Sequence, residues 1–167
     1  MLHTVQENRN YRGFPDQALE WNKMYLRFLD TASDVCETQT IPDGWLPEYA
    51  LAYMRLSSAF FAVGETERGY EHIEKAIGLA KQYQSIPDGQ SIELGNSTFY
   101  GETKAVKNKF HIALPNGKTL PHLLGIAFST PPIPQIMEAT SGWEWFNSVR
   151  NEERYLALLE EAKSIAE

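Results

Sequence analysis

The chain has 167 residues, 43% of them hydrophobic, and a formal net charge of −7 at pH 7. This size predicts a single domain over residues 1–167, whose folding buries roughly 70% of the unfolded surface. No apolar run reaches the about 18 residues that a membrane span requires, and residues 1–13 contain no signal-peptide segment, so we expect a cytoplasmic protein with no membrane contact. The negative charge argues against general nucleic-acid binding, which requires a basic surface.

Residues 15–37 are predicted to form the first helix. Pro15 suits the first turn of a helix, where no N–H partner is needed. Apolar residues then recur at steps of three and four along one face: Ala18, Trp21, Tyr25, Phe28, Leu29 and Ala32. Cys36 is the single cysteine, which excludes an internal disulfide and fits a reducing compartment.

Residues 48–84 are predicted to form two helices joined by a short turn. The first helix carries an apolar stripe of Tyr49, Ala52, Tyr53, Leu56, Phe60 and Val63. Gly64 tolerates the positive φ that commonly ends a helix, and Thr66 is predicted to cap the next one. In the second helix, Gly69 and Ala76 are small enough for a tight crossing against the first.

The order and spacing of these residues over 50–83 resemble one tetratricopeptide repeat: an aromatic, Leu, a small residue, an aromatic, Gly, a small residue, a bulky apolar residue and Ala. Two positions depart from the usual pattern, since Gly69 replaces the common Ala and Lys81 stands where a closing Pro is usual. An ordinary amphipathic hairpin is the alternative. The resemblance implies a helix hairpin that binds other proteins and performs no chemistry.

A single repeat of this kind exposes apolar faces that neighbouring helices must cover. Residues 15–37 look like the second half of a preceding repeat whose first half is cut or degenerate. In such repeats the groove that holds a partner is lined mainly by the first helix, which implies Arg55, Ser58, Phe61 and Ala62 as partner-binding residues here. Simple surface exposure of Arg55 and Phe61, off the core stripe, is the alternative.

Residues 91–120 change character and are predicted to form a small antiparallel β insertion of two or three strands. Phe110, Ile112 and Leu114 alternate with other residues, as in a half-buried strand, and Asn116-Gly117 favours a tight hairpin turn. Between Gly101 and Leu120 four lysines stand against Glu102 alone: Lys104, Lys107, Lys109 and Lys118. They form a solvated strand face, a patch for an acidic protein or peptide, or a nucleic-acid contact, and the three alternatives stay open.

Residues 134–166 are predicted to form C-terminal helices. The last helix caps the array and leaves one side exposed to solvent. Together, residues 94–122 and 142–167 resemble the C-terminal regions of bacterial regulators that carry an N-terminal helix-turn-helix. This second resemblance implies an effector-sensing or oligomerisation region. Residues 1–35 contain no helix-turn-helix pattern, so DNA binding does not carry over to this chain.

No catalytic, metal or cofactor site is predicted. The four histidines, His3, His72, His111 and His122, share neither a helix face nor a metal-ligand spacing, and no Gly-rich phosphate loop occurs. The expected fold is mainly α, a tetratricopeptide-like hairpin array with a small antiparallel β insertion (about 91–120) and a C-terminal capping helix. Two functions remain open: a module that binds a protein or peptide partner, and an effector-sensing or homodimerising region of a bacterial transcriptional regulator.

Overall fold

The computed structural model describes residues 13–95, 104–107, 111–113, 119–121 and 132–166. In this part of the chain the helices are α1 (Pro15–Ala32), α2 (Val35–Thr38), α3 (Leu46–Ala62), α4 (Thr66–Ser85), α5 (Pro132–Gly142) and α6 (Glu153–Ala166). Short 3-10 turns at Asp43–Trp45 and Glu144–Phe146 precede α3 and α6. The protein is thus mainly helical, which confirms the predicted class at this level.

Helix α1 ends five residues before the predicted position because Ser33 closes it. The Ser33 hydroxyl and backbone N–H both donate to the Leu29 carbonyl, at 2.7 and 2.9 Å. Asp34 then adopts a positive φ of 58°, which turns the chain into the short helix α2. The Ser33 hydroxyl also lies 2.9 Å from the Tyr49 hydroxyl, so the end of α1 is tied to α3.

Helices α3 and α4 occupy the region predicted for the hairpin. Gly64 has a φ of +81° directly after α3, as predicted. Thr66, however, is the first helical residue rather than the cap, because the Glu65 carbonyl already accepts the Gly69 N–H at 3.0 Å. Position 65 is therefore the N-cap, and no side chain supplies a capping bond there.

The two helices approach closely at Gly69. A Cβ atom on Gly69 would lie 2.5 Å from the Phe61 ring, and the Ser57 hydroxyl donates to the Gly69 carbonyl at 2.8 Å. This crossing explains why Gly stands where the repeat pattern usually has Ala: Phe61 occupies the space of the methyl group.

Helices α5 and α6 pack against α3 and α4 in a shared core. Its C-terminal members are Ile133, Ile136, Ala139, Phe146, Val149, Tyr155 and Ala162. At the surface, the Tyr70 hydroxyl donates to the Glu152 carboxylate at 2.6 Å, and Arg154 pairs with Glu67 and Glu74 at 3.0 and 2.7 Å. Packing therefore fixes α6 on α4, with exposed ion pairs adding little.

The described strands are β1 (Ser91–Glu93), β2 (Lys104–Val106), β3 (His111–Ala113) and β4 (Thr119–Pro121). They pair antiparallel in that order, with Ile92 opposite Ala105 and Ile112 opposite Leu120. Strand β1 joins the core because the Trp45 indole N–H donates to the Leu94 carbonyl at 2.7 Å. Much of 91–120 lies outside the described residues, so its interpretation as an insertion into a repeat array stays a prediction.

Candidate interaction surface

Helix α3 is the central helix, and the residues predicted to line its groove are mostly buried. Arg55, Ser58 and Phe61 are 7%, 1% and 4% exposed, and Ala62 is partly buried. The Phe61 ring makes edge contacts with Tyr70 and Phe146, with centroids 5.2 and 5.8 Å apart. The predicted groove lining is therefore corrected: Arg55, Ser58 and Phe61 are buried, and the C-terminal segment covers Phe61 through Phe146.

Arg55 belongs to a buried polar layer on α3. Glu48 is also buried and lies seven residues earlier, on the same helix face. The Tyr25 hydroxyl on α1 donates to the Glu48 carboxylate at 2.9 Å, and the Ser58 hydroxyl donates to the Arg55 carbonyl at 2.7 Å. The Tyr25–Glu48 bond therefore joins α1 to α3, whereas the Ser58 bond lies within α3.

The predicted lysine patch is also corrected at Lys107. Its side chain is 2% exposed, and its ammonium donates to the Gln84 carbonyl at 3.1 Å and to the Ile86 carbonyl. Lys107 therefore satisfies carbonyls at the C-terminal end of α4, where a positive charge is favoured. Lys104 is exposed and lies 3.3 Å from Glu93. Lys109 and Lys118 lie outside the described residues.

Two tyrosine hydroxyls whose pKa values are raised by burial form hydrogen bonds between helices. Burial raises the pKa of Tyr49, whose hydroxyl donates to Asp30 at 2.9 Å. Burial likewise raises the pKa of Tyr155 to about 12, and its hydroxyl donates to the Thr140 carbonyl at 3.0 Å. Both groups are therefore neutral donors at pH 7 that join α1 to α3 and α6 to α5.

An open surface lies where α3 is flanked by α1 and α4. The His72 ring on α4 lies 4.8 Å from the Phe60 ring and 5.8 Å from the Tyr53 ring, both on α3. Phe60 is buried, whereas Tyr53 and His72 are partly exposed. From α1, Leu19 and Leu26 pack against Phe60. Three aromatic rings are thus gathered under one patch of surface.

Three cations cover these rings. Lys23 of α1 and Arg68 of α4 lie over the Phe60 ring, at 6.0 and 4.4 Å from its centroid, and Lys75 of α4 lies 4.3 Å from the Tyr53 centroid. We call Tyr53, Phe60, His72, Lys23, Arg68 and Lys75 together the ring–cation surface. Lys23 and Arg68 also pair with Glu20 and Glu65, each at 2.7 Å. Within the described residues, Lys75 has no carboxylate within ion-pair distance.

His72 is held neutral at this surface. Burial is the main cause that lowers its pKa, and the charges of Arg68 and Lys75 lower it further. Its Nδ1 lies 2.7 Å from the Arg68 carbonyl. Because a carbonyl only accepts, Nδ1 carries the proton and Nε2 is left as an acceptor.

The sequence pattern does not predict the ring–cation surface. One signal was present: Arg68, His72 and Lys75 follow at steps of four and three and so share one face of α4. The contact with Phe60 depends on the turn at Gly64, which folds α4 back along α3. Periodicity within one helix does not report such a contact.

The described residues contain neither a metal-binding cluster nor a membrane-spanning helix. In residues 13–95, 132–166 and the strand segments, no group of three or more His, Cys, Asp or Glu side chains is placed to hold a metal ion. The helices among them are all too short or too polar to cross a membrane.

Comparison with known proteins gives no relative for this chain. No family model matches it, and neither does any curated protein or solved structure. The tetratricopeptide and regulator resemblances therefore stay predictions from the sequence pattern. Function has to be argued from the surface that the fold presents.

Proposed function

We propose that the chain is a non-catalytic protein–protein interaction module of the tetratricopeptide type. Its α3–α4 hairpin would present the ring–cation surface to an acidic segment of a partner protein or peptide. The observation that carries the proposal is the placement of partly exposed Tyr53 and His72 among cations from two helices. The Gly64 turn and the Gly69 crossing, both expected of such a repeat, support the hairpin part of it.

The chemistry of the surface fits a segment with both carboxylates and apolar side chains. Lys75 would make the main electrostatic contact with a carboxylate of the partner, because Lys23 and Arg68 already pair with Glu20 and Glu65. Aromatic faces beside cations also accept flat or apolar groups. We expect modest affinity that weakens with salt, because the cations are on the surface and exposed charges are screened.

A peptide-display selection on the immobilised protein, followed by fluorescence titration of the enriched peptides, tests the proposal. We expect acidic peptides with aromatic residues, and a roughly tenfold loss of affinity on Lys75→Glu, which places a carboxylate where the peptide carboxylate binds. Lys81→Glu is the matched control: it makes the same charge change on the same helix, next to Glu161 at 3.6 Å. Peptides that respond equally to both variants, or no enrichment at all, would refute this binding surface.

One observation favours the second function, the oligomerising region of a regulator. Phe14, Met24 and Phe28 are large apolar side chains left exposed on or beside α1. A sensory role would also require a small-molecule site, and the described residues show no feature that points to one.

A further inference from the structure

The outer face of α1 carries an apolar seam. Phe14, Met24 and Phe28 are 56%, 48% and 49% exposed. Within α1, Trp21, Met24 and Phe28 lie along one face, and Phe14, seven residues before Trp21, is the N-cap at the start of the helix. We call these four residues the α1 seam. Phe28 is held in place by stacking on Tyr25, with ring centroids 6.3 Å apart.

The charges beside the seam are divided between the two halves of α1. Asp16 and Glu20 lie in the first half, and Lys23 and Arg27 lie in the second. Asp30 also lies in the second half, but it accepts a hydrogen bond from Tyr49 on the core side. The helix is therefore acidic and then basic along its solvent side.

The charge pattern of α1 is complementary to that of a second copy of the same helix. When two copies of α1 run antiparallel, the acidic half of each lies along the basic half of the other, and Phe14 of one copy approaches Phe28 of the other. A parallel pair would instead place like charges together, which is destabilising. Phe14 and Phe28 each lie seven residues from Trp21, so a twofold axis at Trp21 places Phe14 of each copy opposite Phe28 of the other.

We propose that two copies of this chain associate through the α1 seam as a twofold-symmetric, antiparallel dimer. The contact is about 27 Å long, from 18 residues at the helical rise. A single helix pair of this length belongs to the smaller class of interfaces, so dissociation falls in the micromolar range. The inference shares Lys23 with the ring–cation surface, but its tests replace residues outside that surface, so the two proposals can fail independently.

Light scattering across a roughly hundredfold dilution series centred on micromolar concentration tests the dimer. The mass should change from about 38 kDa to the 19.0 kDa of one chain on dilution. Phe28→Glu should raise the dissociation constant about tenfold or more. Leu156→Glu is the matched control: Leu156 is 50% exposed on α6, and its replacement should leave the dissociation constant unchanged. A monomer at every concentration, or equal effects of both variants, would overturn the proposal.

A charge exchange tests the antiparallel arrangement and does not disturb the core. Asp16→Lys and Arg27→Glu should each weaken the dimer severalfold, because a twofold axis at Trp21 brings Asp16 of one copy beside Arg27 of the other and each change places like charges together there. The double variant should restore wild-type association. Asp16 and Arg27 are both exposed, so thermal unfolding of the monomer should hardly change. Additive weakening in the double variant would rule out the antiparallel dimer.

Discussion

At Gly69, the missing side chain determines how closely α3 and α4 pack. Alanine normally stabilises a helix interior over glycine by about 0.5–1 kcal/mol. Here its Cβ would lie 2.5 Å from the Phe61 ring, which is itself held between Tyr70 and Phe146. The ring has no free space to move into, so the steric cost exceeds the gain in helix propensity.

We therefore predict that Gly69→Ala lowers the free energy of unfolding by about 1–2 kcal/mol in urea denaturation. Gly78 on the same helix provides the control, because nothing lies within 4 Å of its Cβ position. Gly78→Ala should raise the free energy of unfolding by about 0.5–1 kcal/mol. Equal stabilisation by both substitutions would mean that α3 and α4 do not approach closely at Gly69.

At the scale of elements, the hairpin was predictable from sequence because its signals are local. Gly64 and the apolar stripes fix where α3 and α4 begin and end to within a few residues. The burial of Phe61 was not predicted, because it depends on Phe146, which comes much later in the chain. A clue existed in Leu51, an apolar residue outside the predicted stripe, since a helix that is apolar on several sides is usually central.

The ring–cation surface was less predictable than the hairpin. The face shared by Arg68 and Lys75 follows from helical spacing alone. Which ring each cation covers depends on the crossing of two helices. That crossing is set by the packing of Gly69 against the Phe61 ring and by the Ser57 hydrogen bond to the Gly69 carbonyl. Tertiary contacts of this kind leave no periodic pattern in the sequence.

The C-terminal end of α4 gives a second prediction, which separates a structural lysine from a surface one. Lys107→Met keeps the aliphatic chain but leaves the Gln84 and Ile86 carbonyls without their charged donor. We expect the free energy of unfolding to fall by about 1–3 kcal/mol, measured by chemical denaturation. Lys104→Met, in the neighbouring strand, removes only an exposed contact with Glu93 and should change it by less than about 0.5 kcal/mol. Similar small effects at both positions would mean that Lys107 does not stabilise the C-terminal end of α4 and behaves as an exposed lysine.

Over the whole molecule, α3 and α4 link the packing at the two ends of the chain. The cluster beneath α1 contains Trp45, Tyr49 and Tyr83, and the cluster beneath α6 contains Phe61 and Tyr155. Tyr53 and Leu79 are packed against both clusters. Because they share helices and side chains, loss of one cluster should destabilise the other.

Tyr155→Ala tests this cooperativity, since Tyr155 is fully buried and packs 5.8 Å from the Phe146 ring. The cavity should cost about 3–5 kcal/mol, a large part of the roughly 5–15 kcal/mol that stabilises a domain. Tyr155→Phe removes only the bond to the Thr140 carbonyl and should cost about 1 kcal/mol. Urea unfolding followed by circular dichroism and by the fluorescence of Trp45, with Trp21, Trp143 and Trp145 replaced by Phe, should give coincident transitions for both variants, since Trp45 reports on the α1 end. If α6 instead unfolded at lower urea while Trp45 stayed buried, the two clusters would be separate folding units rather than one domain.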